Sequence, residues 1–78
     1  MKDNEILTFL KFKEEDIHRF TSAWLDRDKK EIKIYTGCRV DHLLDHELYI
    51  RNEVDIDDSE VAGYIYYFKF PNSLRKLV

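Results

Sequence analysis

Apolar and polar residues alternate with period two over two stretches in the C-terminal half of the chain. Leu48, Ile50, Val54 and Ile56 alternate with Tyr49, Arg51, Glu53 and Asp55, and Tyr64, Tyr66, Phe68 and Phe70 alternate with Ile65, Tyr67 and Lys69. Period two is the pleat of a strand with one face on a core. Between the stretches lie Asp57, Asp58, Ser59 and Glu60, a run rich in side chains that hydrogen-bond their own backbone, so the pair reads as a β-hairpin. Gly63 near the start of the second strand predicts a bulge or a close backbone approach, and Pro71, which has no N–H for a ladder, ends it.

The N-terminal half is mixed. Ile6, Thr8, Leu10 and Phe12 alternate with Leu7, Phe9 and Lys11, which predicts a strand over Glu5–Lys13. The same residues also fit the first turns of a long helix whose stripe is Ile6, Leu10, Lys13, Ile17, Phe20 and Trp24. Lys13 in that stripe and the β-favouring phenylalanines decide for the strand. Glu14, Glu15 and Asp16 then suit a helix N-terminus, Ile17, Phe20 and Trp24 follow at spacings of three and four, and Arg27, Lys29 and Lys30 suit a C-terminus. A helix over Glu14–Arg27 with Trp24 in the core is the expectation. Glu31–Tyr35 reads as a short strand through Ile32 and Ile34. Thr36 would cap a short helix over Cys38–His46 that turns Val40, Leu43 and Leu44 inward, and Asn72 or Ser73 a last turn carrying Leu74 and Leu77. The sum is an α+β fold: a small, mostly antiparallel sheet in the order β-α-β-(α)-β-β, with one amphipathic helix packed on one face.

Length and composition leave that reading in place and narrow it. At 78 residues the chain is expected to form a single domain over 1–78, burying only about 60% of its unfolded surface, while 44% hydrophobic and 14% aromatic residues exclude the signature of disorder. One cysteine closes no disulfide within the chain, which fits a reducing, cytoplasmic setting. No stretch approaches the roughly 20 apolar residues that span a bilayer, and no small-residue cleavage site follows the N-terminal apolar run, so neither membrane nor leader is expected. A small unstapled fold has little stability to spare, and a homodimer or a partner-stabilised state would add burial.

Candidate chemistry is sparse. Cys38, His42 and His46 are four residues apart, and a continuous helix would stack them into a zinc-like set. His42–His46 reads H-x-x-D-H, which resembles the H-x-x-E-H metallopeptidase signature with Asp for Glu over those five residues; the shorter acid would withdraw the general base from a metal-bound water. Asp55, Asp57 and Ser59 match the first ligands of a calcium loop, but Glu60 stands where glycine is needed and Tyr66 where a bidentate glutamate is needed. Gly63, Tyr64 and Tyr66 echo an RNA-binding aromatic strand, yet Ala62 replaces its basic residue and the neighbouring strand is acidic. Helical neighbours four apart do not aim Cys38 and a histidine at one atom, and two glycines make no phosphate loop. His18 reads as a surface residue. No enzyme, cofactor or direct nucleic-acid contact is expected.

Charge adds the functional expectation. Residues 41–60 hold eight carboxylates against Arg51 alone, a local net of −7, while the rest holds twelve Lys or Arg against eight Asp or Glu, a net of +4. Ordinary surfaces interleave the signs, so this chain is dipolar. Asp45, Glu47, Tyr49, Glu53, Asp55, Asp57, Asp58 and Glu60 are the candidate partner-binding residues, with Tyr49 and Tyr67 on the outer face. The expectation is a non-enzymatic module that docks this acidic surface on a basic site of a partner protein, for example one that takes nucleic acid, as an inhibitor or modulator. In size and charge it is analogous to small phage and mobile-element proteins that act on host machinery. Alternatives are acids that serve solubility and blunt an edge strand, a small homo-oligomeric structural subunit and, most remotely, a metal-dependent hydrolase using His42 and His46.

Overall fold

In the computed structural model, which describes residues 10–72, the chain forms a one-turn helix α1 (Glu14–Ile17) and strands β1 (Phe20–Asp26) and β2 (Glu31–Thr36). A 3-10 turn (Asp41–Asp45) and strands β3 (Tyr49–Asp57) and β4 (Glu60–Lys69) follow. The strands make one antiparallel sheet in the order β1-β2-β4-β3.

The sheet and the hairpin agree with the alternation in the sequence, but little helix is present among the described residues. Where a helix over Glu14–Arg27 was expected, only its acidic first turn forms. From Phe20 the chain is a strand. Ala23 and Leu25 pair with Ile34 and Ile32 and turn inward with them, whereas a helix would have aimed Trp24 at the core. Arg27–Lys30, read above as a helix end, is the turn of the β1–β2 hairpin. The Lys29 amide donates to Asp26 Oδ1 at 3.0 Å and Lys30 takes a positive φ of 58°, an Asx-type turn closed by a left-handed residue. Spacing of three and four was outweighed by a turn with Asp at its first position and by a β2 strand able to accept pairing. Trp24 consequently faces out and is 62% exposed.

Of the strand expected over Glu5–Lys13, residues 5–9 lie outside the described residues, and Leu10–Lys13 are turn and coil. The proposed turn at Leu74 and Leu77 also lies outside them.

One face of the sheet carries the core. Ile32, Ile34, Tyr66 and Phe68 are buried there under Leu10, Val40, Leu43 and Phe70, with Phe12, Ile17, Leu48 and Tyr49 packed against them. Short irregular segments therefore cover the sheet where a long helix was expected. Phe12 and His46 meet Phe68 at 5.3 Å and 5.2 Å between ring centroids, edge to face, the arrangement aromatic quadrupoles favour. The β2–β3 connection is held to the sheet by the Val40 amide, which donates to the Tyr66 hydroxyl at 3.0 Å. Thr36 ends β2 instead of capping a helix, and its hydroxyl donates to the Cys38 carbonyl at 2.7 Å.

Gly63 meets its expectation of close approach: a Cβ there would stand 2.7 Å from the Thr36 carbonyl oxygen of β2. Among the described residues no helix is long and apolar enough to cross a membrane.

Candidate docking surface

Past Thr36, which pairs with Tyr64 at the end of the β2–β4 ladder, β3 and β4 continue together as a two-stranded ribbon. It closes on Asp58 and Ser59, whose φ values of 51° and 68° are both positive, the signature of a type I′ turn matched to strand twist. Residues 52–62, running from the end of the three-stranded part through this ribbon, are all exposed.

Register sorts its side chains. Arg51, Glu53 and Asp55 pair with Tyr67, Ile65 and Gly63 on the face away from the core, and Asn52 and Val54 pair with Tyr66 and Tyr64 on the core side. By the same alternation Asp57 follows Glu53 and Asp55, and Ile56 follows Val54. A bulge between Asp55 and Ile56 skips Ala62, so Val61 stands opposite Ile56. The ribbon is thus acidic on one face and apolar on the other, with Val54, Ile56 and Val61 exposed by 47%, 64% and 57%. Val54 and Val61, with Leu44 and Tyr64, border a groove of about 360 Å³ rimmed by the Arg39–Asp41 ion pair.

Of the acidic candidates, Glu53, Asp55 and Asp57 share one side of β3, while Asp58 and Glu60 extend them round the tip. Asp45 and Glu47 precede β3, at the opposite end of a nine-residue strand that spans about 26 Å at roughly 3.3 Å per residue. Tyr49 does not face outward. A second bulge, between Tyr49 and Arg51, resets the alternation, and Tyr49 packs on Phe68 at 6.1 Å, its hydroxyl accepting from Asn52 Nδ2 at 2.6 Å.

Tyr67 does lie on the outer face, yet is only 5% exposed, because its neighbours close over it. The Arg51 guanidinium stacks 3.9 Å from its ring centroid and Lys33 Nζ lies 5.7 Å away. Arg51 also reaches across β4 to donate both Nη groups to Glu31 at 3.2 Å, and those bonds hold its guanidinium above its usual pKa. Desolvation pushes the Tyr67 phenol up, and its hydrogen bond to Glu53 Oε2 at 3.0 Å adds to this. This network fastens the base of the ribbon to β2.

The metal candidates are not gathered. Their segment is a 3-10 turn, with three residues per turn, so a four-residue spacing no longer stacks, and Cys38 precedes it, exposed. His42 Nε2 is bonded to the buried carboxylate of Asp16 at 2.7 Å. His46 donates from Nε2 to the Leu10 carbonyl at 2.8 Å while Nδ1 accepts from the Leu48 amide at 3.0 Å. Among the described residues no group of three His, Cys, Asp or Glu stands close enough to hold a metal ion.

Sequence reasoning missed the exposed apolar side of the ribbon, since Val54 and Ile56 read as core and Val61 was given no place. The available signal was length: the β3 and β4 segments outrun the short EIKIY strand that could flank them. Comparison with family profiles, curated proteins and solved structures gave no match.

Proposed function

We infer that the chain is a protein-binding module that docks its β3–β4 ribbon on a basic surface of a partner protein, such as a site that otherwise takes nucleic acid, and modulates the partner by occupying it. The observation that carries this is the row Glu53, Asp55 and Asp57 on one side of an exposed strand, continued by Asp58 and Glu60 at a projecting tip. Five carboxylates along one exposed strand and its projecting tip steer a cationic surface over long range and orient it on contact. Asp45 and Glu47 join the contact only for a partner that runs the length of β3. The apolar side of the ribbon supplies burial that charge alone lacks, since exposed ion pairs contribute about 0–1 kcal/mol each.

The immobilised chain should capture a basic protein from lysate of its source cells, with retention falling steeply as salt is raised. Asp55→Asn/Asp57→Asn/Asp58→Asn should lose most of that capture and its salt dependence. Undiminished capture by the triple variant refutes the docking surface.

A further inference from the structure

Edge geometry goes beyond charge. Among the described residues β3 pairs with β4 alone, so along its other side every second N–H and C=O points away from the sheet, a template for one more strand. The side chains flanking this edge alternate between Glu53, Asp55 and Asp57 on one face and Asn52, Val54 and Ile56 on the other. Both rows are exposed.

Resting on the docking reading above, we propose that β3 accepts an extended segment of the partner as a fifth strand, whose side chains alternate basic with β-branched apolar. The reason is the pleat. A strand laid beside β3 sets its residues directly opposite, so one face must answer three carboxylates and the other must cover Val54 and Ile56. Lys or Arg meets the first need, and Val or Ile the second, with Val61, Leu44 and Tyr64 extending the apolar floor. A second copy of the chain fits poorly, because antiparallel self-pairing sets acidic rows side by side and like charges opposed across strands destabilise. Single-stranded nucleic acid would bring phosphates to the same carboxylates. The acidic row therefore refuses the chain's own β3 and selects a basic strand.

The test uses the full chain and two end-blocked peptides of one composition, Lys-Val-Lys-Val-Lys-Val-Lys and Lys-Lys-Lys-Lys-Val-Val-Val, titrated by calorimetry. The alternating peptide should bind on the order of tenfold tighter, as a few cross-strand pairs would give, and N-methylation of its valines should abolish that advantage. Glu53→Lys/Asp55→Lys/Asp57→Lys should prefer the peptide in which Glu replaces Lys, and Val54→Ser/Ile56→Ser, with all charges intact, should erase the preference for alternation. Equal affinity for the two peptides overturns strand addition while leaving charge-guided docking standing. Absence of binding by both overturns the two readings together, and a peptide-free mass by light scattering of twice 9.5 kDa that falls on the Val54→Ser/Ile56→Ser change assigns the edge to a second copy and overturns the proposal.

Discussion

The two halves of β4 belong to different environments. From Tyr64 to Lys69 the strand lies between β2 and β3, and Tyr66 and Phe68 are buried on the core face with Tyr67 sealed on the other. From Glu60 to Ala62 it has β3 alone among the described residues, and every residue is exposed. The change happens at Gly63, where the Thr36 carbonyl leaves no room for a side chain. One continuous strand thus divides the work: its inner half holds the fold together, and its outer half presents a surface whose composition folding does not dictate. Stability should respond to substitutions in the first half and binding to substitutions in the second.

The largest effect should come from Phe68→Ala, which empties a fully buried aromatic site. A loss of about 3–5 kcal/mol is expected by denaturant titration, enough to unfold much of so small a domain. Gly63→Ala forces a backbone clash and should cost about 1–3 kcal/mol. A stability within error of wild type would mean the strands separate easily there, and the division of β4 would lose its boundary.

Tyr67→Phe removes the hydrogen bond to Glu53 and should cost about 0.5–1.5 kcal/mol. The Tyr67 pKa is raised in the fold above its ordinary 10.0, so its contribution is complete below about pH 10 and is lost as pH rises through the raised value. Absorbance of ionised tyrosine should therefore include a Tyr67 step above the ordinary phenol range, and Tyr67→Phe should delete that step.

Smaller effects belong to the ribbon. Asp58→Asn with Ser59→Gly eases two left-handed residues and should raise stability by about 0.5–1 kcal/mol without altering the acidic row on β3. Val54→Thr/Ile56→Thr should move stability by no more than about 0.5 kcal/mol, as surface positions do. A loss of 2 kcal/mol or more there would show that the apolar side of the ribbon belongs to the core after all.

What the sequence disclosed follows the same division. The hairpin was legible because Tyr64, Tyr66, Phe68 and Phe70 repeat at a spacing only a strand can use, and the turn because Asp57–Glu60 favour local bonding. Glu31–Tyr35 was legible through Ile32 and Ile34. The first half misled because Ile17, Phe20 and Trp24 fit a helix equally well in the absence of their partner strand; the deciding contacts, Ala23 with Ile34 and Leu25 with Ile32, are between strands. Tyr49 was misplaced by a single bulge, which reverses every side chain on one side of it. Of the candidate surface, the acids could be read as a cluster. Their sorting onto one face of an open edge, away from Asp45 and Glu47, required the register.

The chain holds a single tryptophan, and Trp24 stands in water on β1 while the protein is folded. Its emission should already resemble that of the denatured chain, so a thermal melt followed by indole fluorescence would record almost nothing as the sheet comes apart. The same indole, beside the shallow groove it shares with Lys33 and Tyr35, would instead report the arrival of anything that covers that side of β1.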